Sequence, residues 1–374
     1  MAPEVSLATT APRRTFVHFP WPLALVVLAI GSLGIWNLAS ASRSAHAPVW
    51  VAQAAWMGMG VVGALFITLI DYRAFRRLAW VFYGLVVGLL AAIFLVGRTI
   101  MGARRWIAVG GVNLGQPSEL AKIAVIVALA SWFHWDAERR KEPLGLLGMA
   151  VPLGLTFLPA VLVLKQPDLG TALVILSIGC TMLLFARVRW RTILVLVGVA
   201  VLGATLAYPH LKPYQKRRVE TFLNPEGDAL GAGYHAMQSK IAVGSGQALG
   251  KGWGQGTQSY LSFLPEQHTD FIFSVWAEER GFLGSLVLLL LYFTLVAVAL
   301  DIAGNARDRF GHFLAIGVAA MLFWQTVVNI GMVTGILPVV GVTLPLMSYG
   351  GSSVLAIFAG VGLLANVGMR RFFN

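Results

Sequence analysis

Long, uninterrupted apolar runs recur from one end of the chain to the other, separated by short polar breaks. Each run is long enough to cross a bilayer as a helix and is apolar on every face. Strands of a membrane barrel would instead alternate apolar and polar positions over segments of about ten residues. The pattern places ten spans, near 20–40, 48–70, 78–97, 118–134, 147–164, 169–186, 191–209, 281–300, 311–337 and 346–369. The fold class expected is therefore an all-α integral membrane protein of about ten transmembrane helices, with a large extracytoplasmic loop between the seventh and eighth. Residues 1–15 read as a disordered cytoplasmic tail, and 16–374 as one polytopic domain that includes the loop 210–270. The first span lies too far from the start, and lacks too clearly a small-residue cleavage site, to read as a removable signal peptide.

Composition agrees with the pattern. Hydrophobic residues make up 57% and charged residues 12% of the 374, far below the soluble average of roughly 25% charged. The net charge of +12 raises nucleic acid as a partner, but its distribution argues against that. Arg13, Arg14, Arg73, Arg76, Arg77, Arg139, Arg140, Lys141, Arg187, Arg189, Arg191, Arg307, Arg309, Arg370 and Arg371 all fall on one set of alternate connections. The short connections of the other set carry only Arg43, Arg98, Arg104, Arg105 and Lys165. That is the bias that orients membrane proteins with positive loops inside, so both termini are expected in the cytoplasm and the long loop outside. Cys180 is the single cysteine, which excludes an intrachain disulfide and a cysteine metal cluster.

Acidic residues then stand out at the outer edge of the spans. Asp270, in Leu264-Pro-Glu-Gln-His-Thr-Asp-Phe-Ile-Phe273, precedes the uncharged stretch 281–300 and has apolar neighbours that would raise its proton affinity, which suits a general base. The competing reading is a plain helix N-cap, a task Thr269 could share. A helix starting at Asp270 would place Ser274 and Glu278 on its face. Glu119 and Lys122, three apart at the start of the fourth span, share a helix face. A charge at mid-membrane costs about 3 kcal/mol on insertion scales, so this pair should face the bundle interior, as a structural ion pair or as a substrate contact. Gln116-Pro117-Ser-Glu119 and Gln166-Pro167-Asp168 echo one another, and each also reads as an ordinary helix start. Lys165 and Asp168 lie on the same side as Glu119 and Asp270.

Basic residues on that side could meet phosphate: Arg104 and Arg105, and the group Lys212, Lys216, Arg217 and Arg218, though lipid headgroup contact explains either set equally well. Nine glycines between Gly227 and Gly256 imply tight turns or close approach of backbone to a ligand. The uncharged segment from Pro338 to Ser353 can pack helices closely or offer backbone N–H groups. His268 with Asp270 is a weak cation signal, lacking a third ligand in clear spacing.

Five motifs, Gly102-Ala-Arg-Arg-Trp-Ile, Gln116-Pro-Ser-Glu-Leu-Ala-Lys122-Ile, Gln166-Pro-Asp-Leu-Gly-Thr171, Leu264 to Phe273 and Leu344-Pro-Leu-Met-Ser-Tyr-Gly-Gly-Ser-Ser353, resemble in order those of the SEDS family (shape, elongation, division and sporulation). Tyr234-His-Ala-Met-Gln-Ser-Lys-Ile-Ala242 and Pro338-Val-Val-Gly341 bring the chain closer to the rod-shape branch, RodA, than to the division branch, FtsW. The resemblance covers nearly everything after the tail. It implies a peptidoglycan glycosyltransferase that polymerises lipid II at the outer face of the cytoplasmic membrane during elongation, with Asp270 essential and Glu119, Lys122 and Asp168 among the functional residues. It also implies a class B penicillin-binding protein as partner, a transpeptidase that crosslinks the nascent glycan strand. Positive charge on the departing pyrophosphate is expected from Lys122, Arg104, Arg105 or a divalent cation, Mg2+ or Mn2+, near Asp270. No organic cofactor and no nucleic acid are expected; membrane lipids are the other partners. A lipid II flippase is the competing function, weakened by the nearly charge-free inner halves of the spans, and a scaffold that only activates its partner is the third.

Overall fold

The computed structural model describes residues 18–43, 48–100, 103–109, 112–139, 144–186, 188–207, 209, 216, 220–222, 232–260, 263–264 and 266–371. The tail expected over 1–15, and Lys212, Arg217 and Arg218, lie outside them. In chain order the helices are α1 (Trp21–Ala41), α2 (Val49–Leu69), α3 (Tyr72–Val96), α4 (Pro117–Arg139), α5 (Ala150–Lys165), α6 (Leu169–Phe185), α7 (Trp190–Ala207), α8 (Ala232–Ser245), α9 (Thr257–Tyr260), α10 (Ile272–Gly304), α11 (Arg309–Thr334) and α12 (Gly351–Met369). Among the described residues eight helices are long and apolar enough to cross a bilayer: α1 to α5, with α5 counted from Leu147, and α10 to α12. The 17-residue α6 and the 18-residue α7 occupy the two remaining expected spans.

Helix ends differ from the hydropathy reading where local chemistry overrides it. α3 begins at Tyr72 rather than 78 because the Asp71 carboxylate caps it, accepting from the Arg73 N–H at 2.9 Å, so the arginines Arg73, Arg76 and Arg77 form its first turns. α12 begins at Gly351 rather than 346, since Leu346 takes a left-handed φ of 64° in the turn before it. A small antiparallel sheet, β1 (Arg98–Ile100), β2 (Ala103–Val109) and β3 (Val112–Gly115), lies between α3 and α4. Its sequence signal is Val109-Gly-Gly-Val112, a two-residue hairpin turn between β-branched residues.

α10 is the largest departure. It starts nine residues before the expected span and is broken at Gly281, whose φ of 66° and ψ of −162° are non-helical. The glycine-rich segment seals that break with its own backbone. The Phe282 and Leu283 N–H groups donate to the Gln247 and Ala248 carbonyls at 2.7 and 3.1 Å, and the Lys251 and Gly252 N–H groups donate to the Glu278 and Glu279 carbonyls, both at 3.0 Å. Backbone groups orphaned by the break are thereby satisfied, as a membrane-edge site demands. A Cβ on Gly281 would fall 2.8 Å from the Ala248 carbonyl oxygen. Gly246 and Gly250 likewise approach backbone, that of Ala277 and Glu279.

α4, α11 and α12 form the buried centre, while α2 and α3 present most of their surface outward. Close contact relies on small residues: α12 lies along α2, and a Cβ on Gly362 would fall 2.9 Å from the Ala64 Cα. The arginine-rich ends meet on one face. Tyr72 donates to the Asp308 carboxylate at 3.0 Å, Asp308 caps α11 through the Gly311 N–H, and Arg370 reaches the Thr68 carbonyl at 3.1 Å. Partial burial lowers the proton affinity of the Arg370 guanidinium, against which Asp71 and Tyr72 raise it.

Candidate active site

Asp270 sits at the end of the turn 266–270, ahead of α10. It does not cap the helix: the N-cap position belongs to Phe271, and no side chain caps α10. Thr269 does not cap it either, its hydroxyl turning back to Glu266. Nor do Ser274 and Glu278 join Asp270. Ser274 is fully buried and shares a hydrogen bond of 2.9 Å with Ser239 of α8, and Glu278 is fully buried against the Lys251 ammonium at 2.6 Å. Because α10 starts only at Ile272, Asp270 lies off its helical register.

Other elements hold Asp270 in place. Asn329 of α11, wholly buried, donates through Nδ2 to the backbone carbonyls of Asp270 at 2.9 Å and Val342 at 2.7 Å. Ser348 donates to the Thr269 carbonyl at 2.6 Å, and the Tyr349 N–H to the His268 carbonyl at 2.8 Å. Gln53 of α2 in turn donates to the Ser348 carbonyl at 2.9 Å. Gly341 lies beside the carboxylate: its φ is 75°, and a Cβ there would stand 3.2 Å from Asp270 Oδ2. The segment 338–353 is thus the clamp of the site.

The same segment borders the helix start that bears the second acid. A Cβ on Gly170 would fall 2.7 Å from the Val340 carbonyl oxygen, so the start of α6 abuts it from the other side. Asp168 is the N-cap of α6, accepting from the Thr171 N–H at 3.2 Å and the Thr171 hydroxyl at 3.0 Å. It also accepts from the Gln116 side chain at 2.9 Å, while the Gln116 N–H donates to Ser352 at the start of α12 at 3.1 Å. The two echoing motifs are therefore bonded to each other as well as starting their helices. One turn further along α4, Glu119 and Lys122 pair at 2.8 Å, with Lys122 only 1% exposed and Glu119 7%. The pair faces the interior, as the insertion cost requires.

Lys165, at the end of α5, is exposed. Arg104 and Arg105 fall in β2, next to α3 and α4, but their side chains lie outside the described residues. Among the described residues, no group of three or more His, Cys, Asp and Glu comes together as a metal site. The sequence reading singled out charges and passed over Asn329 and Gln53. Their signal was a carboxamide inside an apolar span, which is costly unless bonded.

The family model FtsW/RodA/SpoVE, described as cell cycle protein, matches residues 17–372. The chain belongs to this family. It is 42% identical over 370 residues to the peptidoglycan glycosyltransferase MrdB of Escherichia coli strain K12, covering 96% of each chain. Two solved structures share the fold over 95% of this chain. A chain from a structure titled structural coordination of polymerization and crosslinking by a peptidoglycan synthase complex aligns at a TM-score of 0.81 with 36% identity and 99% of that chain covered. The rod shape determining protein RodA of Thermus thermophilus aligns at 0.71 with 33% identity and 98% covered. Family membership accounts for the helical membrane fold and for the order of the five motifs.

Proposed function

We propose that this protein is a peptidoglycan glycosyltransferase that polymerises lipid II into glycan strands, with Asp270 as general base. The observation that carries this reading is that Asp270 is fixed through its backbone by Asn329 and its neighbours by Ser348 and Tyr349, beside Gly341, without being used as the cap of α10. A base needs such positioning, because proton transfer demands hydrogen-bond reach of the acceptor hydroxyl. Asp270 would take the proton from the C4 hydroxyl of the acceptor's N-acetylglucosamine as that oxygen bonds to the muramyl anomeric carbon of the donor. The undecaprenyl pyrophosphate leaves with the electron pair of the broken bond. Arg104 and Arg105 would meet its charge. Lys122, already paired with Glu119, would support the floor of the site together with Asp168.

The alternative role for Asp270 is to hold a divalent cation, Mg2+ or Mn2+, with His268, in place of acting as base. The cation would supply neutralising charge at the leaving group.

The relatives' names as glycosyltransferases favour polymerisation over a lipid II flippase. We place Asp270 on the extracytoplasmic side and both termini in the cytoplasm, a reading supported by the arginine ends at the opposite face. A relative solved in a synthase complex of polymerization and crosslinking supports a class B penicillin-binding protein as partner. The test is polymer formation from purified lipid II, with the partner restricted to transpeptidation. Wild type should polymerise and Asp270→Asn should lose activity roughly 100-fold or more while keeping fold and lipid II binding. Equal polymer from both would remove Asp270 from the chemistry.

A further inference from the structure

At the end of the bundle opposite Asp270, α3, α4 and α5 enclose a cavity of about 530 Å3. Arg76 and Trp80 of α3, Trp132, His134 and Trp135 of α4, and Val151 of α5 line it. On α4 these residues lie toward the C-terminal end of the helix, away from Glu119 and Lys122 at its start, so the cavity is separate from the proposed reaction. Three indoles and a guanidinium at the ends of membrane spans are the side chains suited to the headgroup zone, where amphipathic rings settle and arginine meets phosphate.

The polar groups of the cavity are incompletely served. Arg76 Nη1 is hydrogen-bonded to His134 Nε2. A guanidinium can only donate, so Nε2 accepts and the ring proton resides on Nδ1. That Nδ1 is buried and meets no acceptor among the described residues. The Arg76 guanidinium gives the cavity wall a cationic donor suited to an anionic oxygen. The only carboxylate lining it, Glu138, is 67% exposed at its side chain and approaches His134 Nε2 at 3.4 Å from the rim. Its charge is screened by solvent and offset by Arg139, whose guanidinium stacks 4.0 Å over the Trp135 ring. The balance therefore favours an anion.

The walls choose its source. Trp80, Trp135 and Val151 are about half exposed along the outward faces of their helices, beside Leu147 and Val81, which are more exposed still. A free phosphate would be held by a nest of backbone N–H groups, not by indoles and aliphatic chains. We infer that this cavity binds the phosphate headgroup of an anionic phospholipid in the leaflet opposite the active site, with its acyl chains lying along α3 and α5.

The protein, purified in neutral detergent, would be titrated with phosphatidylglycerol, phosphatidylcholine and inorganic phosphate in parallel, and bound lipid counted by native mass spectrometry. Wild type should retain phosphatidylglycerol in preference to phosphatidylcholine, and inorganic phosphate should not displace it. Arg76→Gln should weaken phosphatidylglycerol retention about fivefold, as loss of one basic contact implies, and Arg76→Lys should restore part of it. Trp80→Ala, at a half-exposed position, should lower retention without loss of fold, and carries the test if Arg76→Gln does not fold. Equal retention by wild type and these variants, equal retention of the two lipids, or displacement by inorganic phosphate would each overturn the assignment.

Discussion

Asn329 commits both hydrogens of one amide nitrogen to two carbonyls from different parts of the chain, those of Asp270 and Val342. Losing a buried donor leaves each carbonyl unsatisfied at about 1–3 kcal/mol. Asn329→Asp goes further, setting oxygen against oxygen. We expect Asn329→Leu to lower the melting temperature by several degrees and polymerisation by roughly tenfold or more, because a displacement of about 1 Å at a reacting group is that expensive; Asn329→Asp should be worse on both counts. Melting curves and polymer yield from lipid II measure the two effects, and an Asn329→Asp protein as active as wild type would dissociate the clamp from the chemistry. Residue types and spacing already paired Glu119 with Lys122, since positions three apart on a helix must be neighbours. Nothing local tied Asn329 to Asp270, 59 residues away.

Helix α10 shows how an element is completed by a distant one. Its break at Gly281 leaves backbone groups that the segment 247–252 satisfies, and the Lys251–Glu278 pair fastens that segment beneath the helix. Glu278 also accepts from the Thr257 hydroxyl at 3.1 Å and the Gln258 N–H at 3.2 Å. Removing Lys251 leaves the fully buried Glu278 charge short of its counter-ion, a loss smaller than the roughly 3–5 kcal/mol of a wholly buried pair because Lys251 is part-exposed. Lys251→Met should therefore lower the melting temperature markedly, and the double variant Lys251→Met/Glu278→Gln should recover part of the loss by removing the stranded charge. A double variant less stable than the single one would show that the pair is not the fastening. Hydropathy located the second half of this helix and missed the first, because Ile272 to Arg280 is held by contacts with α8 and the glycine segment rather than by an apolar run.

Across the whole molecule the two ends of the bundle differ in charge. Asp270, Asp168 and Glu119 gather at one end, and the first turns of α3 and α11 with the C-cap of α12 bring arginines to the other. In a Cys180→Ser background, an impermeant maleimide should label Leu249→Cys in intact spheroplasts and Arg77→Cys only after lysis; both positions are exposed, so the reverse pattern would invert the orientation. By itself the sequence determined the membrane class, the approximate place of each span apart from the first half of α10, the charge asymmetry and the edge position of the acids, because each depends on composition or on spacing along one helix. Only the tertiary structure decided that Asp270 is released from capping α10, that Gln116 binds Asp168 across two motifs, and that residues 338–353 clamp Asp270 and abut the start of α6. Those contacts join residues dozens to hundreds of positions apart, and local pattern carries no record of which buried polar group will meet which.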